Sequence, residues 1–173
     1  MIKLNAATKI GFGGGCHWCT EGVFRSIKGV VKVDQGWIGS KGEAETLSEA
    51  VIVHFNANKI DLKTLIDIHL QTHACTSEHS MRSKYRSAIY TFENTQIQPA
   101  IDILQGFQVH YNKPIVTQVL PFSIFKLNIE SQLDYFYSRP NAPFCKQYIY
   151  PKLIKLRQNF SEVLDENIIS KIN

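Results

Sequence analysis

The chain has 173 residues, 44% hydrophobic and 20% charged, with a formal net charge of +4 and a sequence pI of about 8.8. This composition suits a single globular domain over residues 1–173. No apolar run approaches a membrane span, and the basic residues are too scattered for nucleic acid, their one cluster (Lys152, Lys155, Arg157) reading as a solvated helix face.

In chain order, Thr8 to Phe12 reads as a strand running into the glycines at 13, 14 and 15. Val23, Phe24 and Ile27 fall on one helical face, with Gly29 as a stop. Val30 to Ile38 is β-rich, and Ala50 to Phe55, "AVIVHF", is a second strong strand. Asp61 is placed to cap a helix bearing Leu62, Leu65, Ile66 and His69. Tyr85 to Phe92 alternates like a strand. Ile97, Ala100, Ile101, Leu104, Phe107 and Tyr111 form a helical stripe that accommodates Pro99 only in its first turn. Ile115 to Leu127 predicts one or two strands around Pro121, and Leu153, Leu156, Phe160 and Val163 a C-terminal helix. The order β, α, β, β, α, β, α, β, then helix, predicts an α+β fold: a ferredoxin-like-derived two-layer sandwich with a mixed β-sheet.

Met1 to Ile10 lacks the apolar core of a signal peptide, so a soluble, cytoplasmic protein is expected; separately, a monomer is expected. In that reducing setting Cys16, Cys19, Cys75 and Cys145 read as catalytic, metal-binding or buried, not as a disulfide framework. The stretch "GGGCHWCTEGVF" places Cys16 at a strand-to-helix turn. Backbone N–H groups and the helix dipole favour a thiolate there, and glycines allow close approach of a ligand. Cys16 is therefore the candidate nucleophile, with Cys19 one turn along and within disulfide reach. A bare C-x-x-C also suits a redox pair or a zinc clip. Zinc is the weaker option: Cys16, Cys19, His73, Cys75 and His79 supply donors on paper, but "HACTSEH" is not a second tight ligand turn.

The residues "GCHWCTEGVFRSIKGVVKVDQGWIG" resemble the opening of the type A peptide methionine sulfoxide reductases, whose signature is Gly-Cys-Phe-Trp. "SEAVIVHFNANKIDLKTLIDIHLQTHACT" resembles that family's "HAE" strand, helix and "HDPT" segment, "YRSAIY" its "QYRSAIY", and "NAPFCKQYIYPKLIKL" its C-terminal cysteine segment. The resemblance implies reduction of methionine-(S)-sulfoxide, free or in peptides. Cys16 would attack the sulfoxide sulfur, and His17 and Trp18 would wall the S-methyl group. Glu49, from "HAE", would deliver a proton to the oxygen from a buried carboxyl, and Tyr85 would hydrogen-bond that oxygen. The sulfenic acid on Cys16 would be resolved by Cys19 or Cys145, and the disulfide reduced by a thioredoxin-type partner. No metal or organic cofactor is implied.

Departures from the pattern gather at substrate recognition. His17 replaces phenylalanine. The loop from Gly39 to Ser48 is short and lacks the family's tyrosine. "HSMRSKYRS" replaces "ND-x-GTQYRS", and no "AE-x-YHQ" is recognisable at Asn128 to Leu133. Three alternatives therefore stand beside the main reading: a reductase of another S-methyl sulfoxide, a thiol–disulfide oxidoreductase, and a non-catalytic zinc-binding module.

Overall fold

The computed structural model describes residues 7–170. Residues 1–6, part of the N-terminal stretch considered above, and 171–173 lie outside the described residues. Six strands, β1 (Thr8–Gly13), β2 (Val30–Gly39), β3 (Ser48–Phe55), β4 (Ala88–Thr91), β5 (Gln118–Pro121) and β6 (Ile124–Leu127), form one sheet in the order β5-β4-β1-β3-β2-β6. Neighbours are antiparallel except β4 and β5, so the sheet is mixed. The helices are α1 (His17–Arg25), α2 (Leu62–Gln71), α3 (Ile97–Phe107), α4 (Tyr135–Ser138), α5 (Tyr150–Asn159) and α6 (Glu166–Ile169). The predicted α+β sandwich is the observed architecture.

Strand alternation divides the apolar residues between two faces. Ile10, Phe12, Val51, Val53 and Ile89 pack with Val23, Phe24, Leu65, Ile66 and Leu156 from the helices. Ile38, Ala50, Ile52, Ala88 and Tyr90 form a smaller cluster on the other face, under Phe92, Leu120, Phe122 and Phe125. β3 is apolar on both faces because it is buried on both. Asp61 caps α2 by accepting from Thr64 N–H at 2.7 Å, and Pro99 occupies the first turn of α3.

Three local expectations change, and the strands expected over 115–127 prove to be two. The strand expected over 85–92 begins only at Ala88, because its partner β1 ends at Gly13, opposite Ala88. Tyr111 lies beyond α3, and Phe160 and Val163 lie beyond α5. Ile115–Leu127 yields two strands on opposite edges of the sheet, joined by Phe122 and Ser123. The short link is held to both edges: the Phe122 N–H donates to the Thr91 carbonyl at 2.8 Å and the Ser123 N–H to the Gly39 carbonyl at 3.1 Å. A Cβ on Gly11 would stand 2.8 Å from Tyr90 Cβ and 3.0 Å from Ile38 Cδ1. At Gly36 a Cβ would meet the Lys126 carbonyl at 2.0 Å, so glycine is what lets β6 lie so close to β2.

Candidate active site

Cys16 occupies the N-cap position of α1, where β1 turns into the helix. The turn depends on Gly14, whose φ of +151° disfavours a side chain and whose Cβ would lie 2.4 Å from His73 Cδ2. Two histidines brace it. His69 Nε2–H donates to the Gly13 carbonyl at 2.8 Å. His73 donates from Nδ1 to the His69 carbonyl and accepts at Nε2 from the Ser87 hydroxyl at 2.8 Å. The two rings stack with centroids 4.1 Å apart. Burial holds both imidazoles below their ordinary range, His73 down to about 4. Arg82 adds a staple, donating to the carbonyls of Gly14 and Tyr85 at 3.0 Å each and to those of Ala74 and Ser77.

The thiols are unequal. The Cys19 S–H donates to Cys16, and the Trp18 and Cys19 N–H groups add to it, so the Cys16 thiol is held below its ordinary range against burial and the Glu49 charge. Cys19, sharing that contact and buried, is pushed far upward. Cys145, wholly buried, sits in a wide helical turn that packs on α1 and ends at α5, and its charge would be felt at Cys19. Burial raises its thiol too. Lys152 corrects an expectation: instead of lying on a solvated face, it turns inward, donates to the Thr72 carbonyl, and contributes positive charge near Cys16 and Cys19.

Glu49, in β3, lies against the start of α1. Its Oε2 accepts the His17 backbone N–H at 3.1 Å, one residue from Cys16. Its Oε1 is 3.7 Å from Lys84 Nζ. Tyr85 is half-buried beside Lys84, whose Nζ is 5.1 Å from the centre of the tyrosine ring. The His17 ring is only 6% exposed and donates from Nδ1 to the Gly36 carbonyl at 2.8 Å. That bond leaves Nε2 as the acceptor of the neutral ring, 3.4 Å from Asn128 Nδ2 and 3.8 Å from Glu49 Oε2. Burial lowers the imidazole's affinity for a proton.

From His17 a buried polar chain leads away. Asn128 Nδ2 donates to Gln35 Oε1 at 2.7 Å, and Gln35 Nε2 donates to Glu21 Oε1 at 2.9 Å. Glu21 also accepts the Asp134 and Tyr135 N–H groups at 3.2 Å each. Glu21 therefore serves a buried network and not the solvent-facing side of α1. Its carboxyl is pushed up by burial and fixes the start of α4. Tyr135 stacks on Trp18 with ring centroids 4.0 Å apart and 2° between planes, and Phe144 meets Trp18 edge-on at 5.3 Å.

The structure thus gathers Cys16, His17, Trp18, Cys19 and Glu49 at the start of α1, with Tyr85 reached through Lys84 and Cys145 behind Cys19. The five proposed zinc donors do not converge: among the described residues no three His, Cys, Asp or Glu side chains form a metal-holding group. Sequence reasoning did not single out Gln35, Lys84, Asn128, Tyr135 or the inward role of Lys152. Asn128 and Tyr135 fall in or beside the stretch where the resembled pattern fails, which was their only signal.

Comparison with known proteins places these residues in a wider frame. The profile of a family described as peptide methionine sulfoxide reductase matches residues 8–164. A peptide methionine sulfoxide reductase MsrA of a Psychrobacter species is 36% identical over 170 residues, covering 88% of this chain and 95% of that one. Mxr1 from Saccharomyces cerevisiae in reduced form superposes with a TM-score of 0.74 at 20% identity, covering 84% and 92% of the two chains. Mxr1 in complex with Trx2 gives 0.61 at 21% identity, covering 76% and 87%.

Proposed function

Because the chain belongs to the peptide methionine sulfoxide reductase family, we propose that Cys16 is the nucleophile and Glu49 the proton donor of a methionine-(S)-sulfoxide reduction, on free or peptide substrate. Cys16, as thiolate, attacks the sulfoxide sulfur. Glu49 protonates the sulfoxide oxygen, the substrate S–O bond breaks, the Cys16–substrate S–S bond opens as the hydroxyl passes to the Cys16 sulfur, and methionine leaves with Cys16 as a sulfenic acid. Trp18, held by Tyr135 and Phe144, offers an aromatic wall to the S-methyl group. His17 stands beside it as the polar element of that wall, and Tyr85 donates to the oxygen.

One observation carries this reading. The thiol with the lowered proton affinity and the carboxyl expected to protonate the oxygen meet at the same helix start, Glu49 bonding the N–H of the residue that follows Cys16. The test is single-turnover reduction of each methionine sulfoxide diastereomer with dithiothreitol. Cys16→Ser should abolish it without unfolding the protein, and Glu49→Gln should slow it by about 10²-fold or more. A Cys16→Ser protein with wild-type turnover removes the mechanism.

Cys19 is the first resolving thiol in this reading, because it already hydrogen-bonds Cys16. Cys145 carries the disulfide onward to a thioredoxin-type reductant. Non-reducing digestion of substrate-oxidised protein, read by mass spectrometry, should show a Cys16–Cys19 bridge. A dominant Cys16–Cys145 bridge, with Cys19→Ser fully active under a thioredoxin system, overturns that order. The same Cys16–Cys19 contact supports a second reading, thiol–disulfide exchange without sulfoxide chemistry, which the turnover assay separates.

The protein acts without a cofactor, as one domain over residues 1–173 and as a cytoplasmic monomer. The bridge between Ile27 and Leu164 supports the single domain by tying the segment after α1 to the C-terminal segment. Light scattering tests the monomer.

A further inference from the structure

Lys84 has no part in the steps above, yet its ammonium lies where the substrate oxygen would be received. Nζ is 3.7 Å from Glu49 Oε1 and stands 5.1 Å from the centre of the Tyr85 ring, and both neighbours favour its charged form. Its backbone is pinned to the same strand end as the acid: the Lys84 carbonyl accepts from Glu49 N–H and from the Ser48 hydroxyl, both at 2.9 Å. Ser48 Oγ in turn accepts the Arg86 N–H at 2.7 Å, so the turn cannot drift from β3. The side chain is 54% exposed, while that of Glu49 is 9% exposed. The pair therefore spans the boundary between the buried acid and the open side of the site.

An ammonium carries three N–H donors and no acceptor. At 3.7 Å the Glu49 contact is longer than a hydrogen bond, so the ammonium can turn a donor to an oxygen entering between them. The loop from Gly39 to Ser48 lacks the tyrosine that would serve this oxygen in the resembled pattern, and Lys84 stands where that pattern has glutamine.

We propose that Lys84 is a catalytic hydrogen-bond donor to the sulfoxide oxygen, supplying the donor that the short loop lacks. The proposal rests on the sulfoxide-reductase reading of Cys16 and Glu49. The sulfoxide oxygen enters between Lys84 and Glu49 and takes over the ammonium's contact. As the Cys16 thiolate donates its electron pair, negative charge grows on that oxygen, and a fixed cation there lowers the barrier. The substrate sulfur is reduced by two electrons and the Cys16 sulfur oxidised by two. The oxygen leaves the substrate for Cys16, and the one proton consumed comes from Glu49. Lys84 keeps its own.

Most exposed Lys–Glu pairs contribute little to stability, so the test must read chemistry and folding separately. The single-turnover rate on methionine sulfoxide is measured for wild type, Lys84→Met, Lys84→Arg and Lys84→Ala, the last also with added methylammonium. Lys84→Met should be slower by about 10- to 100-fold with an unchanged thermal midpoint. Lys84→Arg should stay within a few-fold of wild type, and methylammonium should restore the alanine variant saturably. A Lys84→Met protein at wild-type rate overturns the proposal. So does an arginine variant as slow as methionine together with no rescue, which would leave Lys84 a packing residue. Wild-type protein that turns over no sulfoxide overturns the underlying reading along with this one.

Discussion

Replacing Cys19 with alanine removes the sulfur group that does most to hold the Cys16 thiol below its ordinary range. What remains is the pair of backbone N–H groups from Trp18 and from position 19, opposed by burial and by the Glu49 charge. A hydrogen bond to a charged acceptor contributes about 1.5–3 kcal/mol, and moving a titration midpoint by one pH unit takes about 1.4 kcal/mol. The midpoint for Cys16 thiolate formation should therefore rise by about 1–2 pH units in Cys19→Ala. Cys19→Ser, which keeps a hydroxyl donor, should fall between the two. The assay is the rate of iodoacetamide alkylation of Cys16 against pH, followed by peptide mass spectrometry. Cys19, Cys75 and Cys145 are all buried and should react slowly. Below the midpoint the alkylation rate follows the thiolate fraction. At a fixed pH there, the alanine variant should react about ten times more slowly for each pH unit by which its midpoint has risen. A midpoint that stays in place or falls would refute the reasoning, and the start of α1 alone would then set the reactivity of Cys16.

Gly14→Ala should destabilise the protein by about 2 kcal/mol or more in urea unfolding and slow turnover, because it combines a strained φ with a clash on His73. His73→Ala in the same chain should relieve the clash and leave the φ strain, so a double variant as stable as wild type would contradict this account. Lowering the pH should weaken the fold through the two neutral histidines. Their folded-state proton affinity is depressed, so below about 6.5 the unfolded chain gains protons that the folded rings refuse. Stability is full above that pH and falls toward about 4, by on the order of 1–3 kcal/mol for His73. A His73→Gln variant measured by urea unfolding at pH 7.5 and 4.5 should lose less, and an equal loss would remove His73 as the cause. Gln35→Leu leaves Glu21 Oε1, Asn128 Nδ2 and the Gln132 carbonyl short of a partner. It should cost about 2–4 kcal/mol, and a change under 0.5 kcal/mol, read from urea curves, would show that the polar chain is dispensable.

What could be read from the sequence was what local chemistry dictates. β3 announces itself by the β-branched apolar run within "AVIVHF", α2 by Asp61 and its stripe, and Cys16 by the glycines before a helix start. The divided paths of β5 and β6 could not be read, because nothing within 115–127 encodes which sheet edge each strand joins. Part of that choice lies far upstream, at Gly36, where the absence of a Cβ lets β6 approach β2. Lys152 looked like one member of a basic cluster because a helix face is defined only by what packs on it, and Thr72 and the thiols are remote in sequence.

His17 shows how a departure at one position reaches across the fold. A phenylalanine there would need only apolar neighbours, but a buried imidazole needs hydrogen-bond partners or it costs stability. Gly36 supplies a carbonyl to Nδ1 and Asn128 an amide N–H to Nε2. Asn128 and Gln35 are buried in turn and satisfy each other, and Gln35 donates on to Glu21. Glu21 spends its remaining acceptor capacity on the backbone of Asp134 and Tyr135, which sets Tyr135 flat against Trp18. The chain thus starts beside Glu49 and ends at the aromatic wall. The unfamiliar residues at 17 and 128 are not independent losses from a known pocket. They are two ends of one hydrogen bond, and changing either alone leaves the other buried without it.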